Sequence, residues 1–147
     1  MHTEPWQFVI IQDTNALKRL SDRVKATLAT DATQLHPDHS SRDIFSQPDF
    51  NVFYDAGTLV VICAKATGHF VQADCWLAAE NLMLMAHAMG LGTCVIGSAA
   101  SALSLPDVKH ELGIPADMMA IAPIIVGKPR SEASASARNE PHILAWW

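Results

Sequence analysis

The sequence predicts one domain in which a β-sheet is packed against helices, and three observations carry that reading. Short β-branched runs alternate along the chain with segments of helical period, in the order β, α, β, α, β, α, β. The run from Thr58 to Ala64 is apolar at every position after the first, the pattern of a central strand covered on both faces. Half of the 147 residues are hydrophobic, enough for one core at a length where roughly two-thirds of the unfolded surface is buried. No internal repeat and no Pro/Gly-rich linker divides the chain.

Taken in order, Phe8-Val9-Ile10-Ile11 closes on Gln12-Asp13-Thr14-Asn15 and reads as a largely buried strand followed by a turn. Thr14 or Asn15 then caps a helix. In it Ala16, Leu17, Leu20, Val24 and Leu28 form the apolar stripe, while Lys18, Arg19, Asp22, Arg23 and Lys25 fill a solvated face. From Thr30 to Asn51 the chain is polar and broken by Pro37 and Pro48, which predicts a long surface loop. After the Thr58–Ala64 strand, the Ala, Leu and Met content from Val71 to Met89 favours a helix. Asp74 complements the dipole in its first turn, and Gly90 is placed to end it. Apolar residues run nearly all the way round this segment, which predicts a central buried helix. Leu91 to Ser98 reads as a short buried strand opening into a small-residue loop, and Leu105 to Leu112 as a short helix with Pro106 near its start and Gly113 past its end. Met119 to Gly127 is a strand in which Pro123 implies an edge or a bulge. The polar tail after Lys128 turns apolar again from Pro141 to Trp147, a stretch expected to dock on another surface.

Ten basic against fifteen acidic residues give a net charge of −5 without any Lys/Arg-rich stretch, which argues against a nucleic-acid or anionic-membrane footprint and for a small-molecule partner. The apolar fraction exceeds what a monomer conceals, so an oligomer is expected. Cys63, Cys75 and Cys94 each lie in apolar runs, as reduced, buried thiols of a cytoplasmic protein do. The first residues lack a basic and apolar leader pattern, and no stretch of about 18 uncharged apolar residues exists, so the chain reads as soluble and cytoplasmic.

Generic motifs carry little. His36-Pro37-Asp38-His39 offers two imidazoles and a carboxylate, but Pro37 breaks helical spacing and the segment reads as a solvated loop rather than a metal site. Gly97-Ser98-Ala99-Ala100-Ser101 lacks the frame of a serine nucleophile turn. Asp74 and Glu80 do not share a helix face. His87 and the set Met83, Met85 and Met89 read as core residues of the long helix. Gly90-Leu91-Gly92 follows a helix and precedes a strand, the reverse of a dinucleotide-binding loop, and no Walker A pattern is present.

Three stretches, in order and spanning nearly the whole chain, resemble the FMN-dependent nitroreductase family. Glu4-Pro5-Trp6-Gln7-Phe8-Val9-Ile10 is similar to that family's Gln-Pro-Trp-x-Phe-Val-Val segment. Asp55-Ala56-Gly57-Thr58, then Ala79-Glu80-Asn81-Leu82 through Gly90-Leu91-Gly92-Thr93 to Ile96-Gly97, resemble its core strand, core helix and flavin-side loop. Val126-Gly127-Lys128-Pro129, with Arg138-Asn139-Glu140-Pro141 and Trp146, is similar to its tail.

The resemblance implies an α+β fold with a central, mainly antiparallel sheet flanked by helices and one long buried core helix. It implies an obligate homodimer with two interfacial FMN sites, and ping-pong reduction of nitroaromatics, quinones or similar acceptors by NAD(P)H, in the cytoplasm, without nucleic acid or membrane partners. The alternative is a non-catalytic, flavin-binding or flavin-free dimer of the same fold. By the same resemblance, His2 and Thr3 fall in the stretch beside the flavin of the partner subunit, and an imidazole there can donate a hydrogen bond to the ring edge. Gly97 and Ser98 match the loop whose backbone approaches flavin N5 or O4, Arg138 matches a phosphate-contacting Arg, and Asn51 matches a contact to the pyrimidine end of the ring. No catalytic acid/base residue and no metal ligand is implied, because the flavin itself carries the hydride. Two departures stand out. Met1 falls where the family is already well inside, so residues 1–147 read as a single, N-terminally short domain without the usual first helix and its Arg-Ser-x-Arg-type motif. A basic side chain often placed near flavin N1 has no match in Asn51-Val52-Phe53-Tyr54.

Overall fold

β1 (Gln7–Ile11) leads into α1 (Thr14–Asp31) through Asp13, whose carboxylate accepts the Ala16 N–H at 2.6 Å. The helix is therefore capped by Asp13, one residue before the expected Thr14 or Asn15. Leu17, Leu20 and Val24 are buried along one stripe, as their spacing predicts. β2 (Thr58–Lys65) is buried from Leu59 to Ala64, and α2 (Val71–Ala88) follows it. α2 ends where Gly90 takes φ +73°, with the Leu91 N–H on the Ala86 carbonyl and the Gly90 N–H on that of His87, so its last carbonyls are satisfied. β3 (Gly92–Val95), a 3-10 turn (Gly97–Ala99), α3 (Ala100–Leu103), α4 (Pro106–Leu112) and β4 (Met118–Gly127) complete the chain. The Lys109 ammonium donates to the carbonyls of Ala116 and Met118, fixing the turn between α4 and β4. This computed structural model describes residues 4–31, 45, 47–65, 67–131 and 136–147.

The strands form one sheet in the order β1-β2-β4-β3, every neighbouring pair antiparallel. On one face Leu59, Val61, Cys63 and Ile125 pack with Leu17, Leu20 and Val24 of α1 and with Leu103 and Val108. On the other, Ile62, Ala64, Ala122 and Ile124 meet Cys75 and Ala79 of α2. The class is α+β, with helices on both sides of an antiparallel sheet. No helix among the described residues is long and apolar enough to cross a membrane.

Several expectations are corrected. β1 is an edge strand, so only its end is buried: Phe8 is 48% and Ile10 64% exposed. β3 is the other edge, which leaves Cys94 exposed while Cys63 and Cys75 are buried. α2 covers one face of the sheet instead of lying at the centre. One sheet face can bury only one side of a helix, so Cys75, Ala79 and Ala86 go inside while Trp76, Leu77, Leu84, Met85 and Met89 stay exposed, as does His87. α1 runs to Asp31, past the Thr30 start of the expected loop. The segment Pro141–Trp147 is exposed along its length within the single chain. Pro123 sits in a central strand, two residues from a bulge at Ile121. Its carbonyl accepts the Ile96 N–H on the β3 side. Its nitrogen faces the same side, beyond the last ladder pair Val95 and Ile124, where the missing N–H leaves no ladder bond unmade.

Burial, and then the neighbouring Cys75 thiol, push the Cys63 thiol up to about 11, and burial raises that of Cys75. A disulfide reagent at about pH 8 is therefore expected to titrate a single thiol of the folded chain, Cys94, and the other two only after denaturation. Fast modification of all three in the folded state would contradict the packing of β2 against α2.

Candidate functional site

The segment from Asn51 to Gly57 is built as a rigid turn between α1 and the start of β2. Asn51 organises it: its side-chain oxygen accepts the Phe53 N–H at 2.9 Å, its amide donates to the Asp55 carboxylate at 2.9 Å, and its own carbonyl accepts the Tyr54 N–H at 2.8 Å. The buried Ser21 hydroxyl accepts the Val52 N–H at 2.9 Å and ties the turn to α1. Val52 and Phe53 are driven into the core at 1% and 0% exposure. Between these anchors Tyr54 and Asp55 take φ 52° and 55°, two successive non-glycine residues in the left-handed region. That conformation costs roughly 1–2 kcal/mol per residue and persists only where surrounding bonds over-determine it. It leaves the Tyr54 ring exposed, edge-on to Phe50 with centroids 5.5 Å apart.

Two clefts meet on this turn and share Asp55, Ala56 and Gly57. The smaller, about 310 Å³, lies toward α1 and includes Asn51, Lys18 and Lys25. The larger, about 620 Å³, lies at the end of the sheet, between Tyr54 on one side and Thr93, Cys94, Lys128 and Arg130 on the other. Elsewhere Arg19 pairs with Glu111, Arg23 with Asp107, Lys25 with Asp22 and Lys65 with Asp117. Lys128 and Arg130, which make no ion pair among the described residues, line the larger cleft together with Asp55.

The sequence-derived site residues fall in different places. His2 and Thr3 lie outside the described residues, as do His36 and His39. Asn51 lines the smaller cleft, with both ends of its amide engaged inside the turn. Gly97 and Ser98 open the 3-10 turn after β3, and a Cβ at Gly97 would meet nothing within 4 Å, so the backbone there is open to approach. Arg138 lies in the exposed tail. Neither cleft is lined by Gly97, Ser98 or Arg138. No group of three or more potential metal ligands occurs among the described residues. Sequence reasoning passed over Tyr54, Lys128 and Arg130. The two cations were visible in Lys128-Pro129-Arg130, but their facing a cleft depends on the β2 and β4 ends lying side by side.

The profile of the nitroreductase family matches residues 1–128. A curated relative from Archaeoglobus fulgidus, provisionally named an NADH dehydrogenase/NAD(P)H nitroreductase, is 24% identical over 134 residues; the match takes in 88% of this chain and 64% of that protein. The chain thus spans about two-thirds of the length of this relative. Among solved structures, an FMN-bound nitroreductase from Bacteroides fragilis superimposes with a TM-score of 0.79 at 24% identity, over 96% of this chain and 74% of the other. An FMN-bound nitroreductase from Desulfitobacterium hafniense gives 0.78 at 16% identity, over 93% and 73%. At these identities the likeness establishes the fold.

Replacing Asn51 by Ala leaves the half-buried Phe53 N–H without its acceptor and frees the two left-handed residues. Urea unfolding of Asn51→Ala is expected to show a loss of about 1–3 kcal/mol. An unchanged midpoint would mean that the side chain does not hold the turn.

Proposed function

We propose that this chain, which belongs to the nitroreductase family, is an FMN-dependent oxidoreductase that works as a homodimer. It takes reducing equivalents from NAD(P)H and passes them to nitroaromatics, quinones or similar acceptors in a ping-pong cycle, in the cytoplasm. The family match over residues 1–128 carries this reading, and the FMN bound in the two structural relatives supports the choice of cofactor. The flavin, when bound, supplies the hydride chemistry; the protein supplies position and electrostatics. In this reading the open backbone at Gly97 and Ser98 lets an N–H reach the polar edge of the ring, Arg138 contributes a cation to the phosphate, and His2 and Thr3 lie beside the flavin of the partner subunit. Asn51 acts through the turn it holds.

The homodimer is supported by what one chain leaves uncovered. Leu77, Leu84, Met85 and Met89 line the outer side of α2 at 59–68% exposure, more contiguous apolar surface than a soluble monomer ordinarily presents. A groove of about 450 Å³ joins this helix to Trp6 and Phe8 at the sheet edge. The apolar tail, with Leu144 and Trp146 almost fully exposed, suits docking on a second copy. Sedimentation is expected to give a dimer for the wild type and a monomer for Leu84→Glu; a wild-type monomer would reject this part of the reading.

A second reading, a non-catalytic dimer of the same fold, is favoured by one observation: Asn51 lines one of the two clefts at the turn, whereas Gly97, Ser98 and Arg138 line neither. The visible spectrum separates the two. An FMN band that bleaches with NADPH or NADH and returns in air is the outcome expected of the oxidoreductase. Bound FMN that neither donor bleaches, or no retained flavin, supports the second reading.

A further inference from the structure

We infer that the electron acceptor, an aromatic ring bearing nitro or carbonyl oxygens, binds against Trp76 and Met119, with its oxygens on the N–H groups of His69 and Gln72. The inference rests on the flavin reading above and names a site for the acceptor, which that reading leaves without one. The place is the end of the sheet away from the Tyr54 turn, where β2 reaches Lys65 beside Met118 of β4. A cleft of about 350 Å³ opens there between the start of α2 and β4, the size of a small-molecule site. Trp76 on the helix and Met119 on the strand are 44% and 46% exposed in its wall, apolar groups that the chain itself leaves half uncovered. A second cleft, about 370 Å³, shares Lys65, Gly68 and Val71 with the first and extends to Glu4. Gly68 takes φ +133°, and a Cβ there would strike the Val71 side chain at 2.6 Å, so only glycine lets the loop lie against the helix at this joint.

The chemistry of the wall fits this class of molecule. A nitro or quinone oxygen only accepts hydrogen bonds, so it needs donors and is repelled by carboxylates. Among the described residues no acid lines the cleft at Trp76, and Lys65 is already matched by Asp117 at 2.7 Å. His69 and Gln72 line it with side chains that make no hydrogen bond among the described residues; the imidazole only meets the Phe70 ring, edge-on, with centroids 6.1 Å apart. The indole offers a ring face and the thioether a polarisable contact for an aromatic guest. The location fits as well. Glu4 directly follows Thr3, and Ile121, which lines the cleft at Trp76, is two residues from Pro123, whose carbonyl accepts the Ile96 N–H just before Gly97. The paired clefts thus adjoin both stretches that the flavin reading sets beside a ring.

The test is equilibrium dialysis of the full, FMN-loaded chain against 4-nitroacetophenone and against 4-methylacetophenone, in which a methyl replaces the nitro group. The wild type is expected to bind the nitro compound about tenfold more tightly. Trp76→Ala should weaken both compounds about five- to tenfold, because both lose the ring contact, and Trp76→Phe should keep most of the affinity. His69→Leu combined with Gln72→Leu should bind the two compounds nearly alike. Thermal midpoints should not move, since these side chains are exposed or half-exposed. After bleaching by NADH, return of the flavin band in air needs no such pocket and should be unchanged in every variant; its return with 4-nitroacetophenone under argon should need more of the compound in Trp76→Ala. Wild-type affinities in Trp76→Ala, or a full nitro preference in the double variant, overturns the inference and leaves the flavin reading standing. A wild type that takes up no FMN overturns that reading, and the acceptor site with it.

Discussion

The pairing of β2 with β4 is the constraint on which the rest of the structure depends. These two strands are apolar on both faces and pair over eight positions, from Thr58 with Val126 to Lys65 with Met118. Each face seeds a core, one with α1, α3 and α4, the other with α2. The extra residue at Ile121 is what makes the ladder serve both. Strand residues alternate sides, so Ile125 and Pro123 share a face that unbroken alternation would pass to Ile121 and Met119. The bulge shifts it to Ala120 and Met118, which pack in the α1-side core with Cys63. The same ladder brings the turn before β2 and the segment after β4 to one end of the sheet, and the larger cleft forms there.

Helices on both faces finish the sheet but not the surface. α2 has an apolar circumference and only one sheet face to meet, so burying one side necessarily exposes the other. The edge strand β1 adds Phe8 and Ile10 to the uncovered area. Burial of a large apolar side chain is worth about 1.5–3 kcal/mol, so covering several of them gives association a substantial driving force. The uniform apolarity of α2 thus leaves one side buried against the sheet and the other uncovered within the chain.

How much of this was legible in sequence follows from the range of each interaction. The four strands and the helices α1, α2 and α4 announce themselves through local periodicity and through Pro106, Gly90 and Gly113, because hydrophobic period and helix ends are written within a few residues. Strand order is not. Phe8-Val9-Ile10-Ile11 reads as buried because nothing local says that it has a neighbour on one side only, and Cys94 misleads for the same reason. Pro123 suggested an edge or a bulge; it lies in a central strand, two residues from a bulge, and its one harmless direction is set by where β3 stops. The family resemblance supplied the antiparallel arrangement that periodicity could not. The site was less legible still. Asn51 stands out as a residue but not as the organiser of a turn, for its two side-chain bonds matter only once Ser21 pins Val52 and Phe53 enters the core.

Charge placement links the fold to the site. Arg19 with Glu111 and Arg23 with Asp107 bridge α1 to α4 on the surface, where solvent-exposed pairs contribute about 0–1 kcal/mol each. Their contribution to stability is small, but each leaves its cation neutralised and unavailable to a ligand. Lys128 and Arg130 follow β4 directly and line the cleft that the Tyr54 turn closes, with the carboxylate of Asp55 in the same wall; among the described residues neither makes an ion pair. The turn opposite is held in its shape, because its two left-handed residues lie between the hydrogen bonds of Asn51 and the buried Phe53.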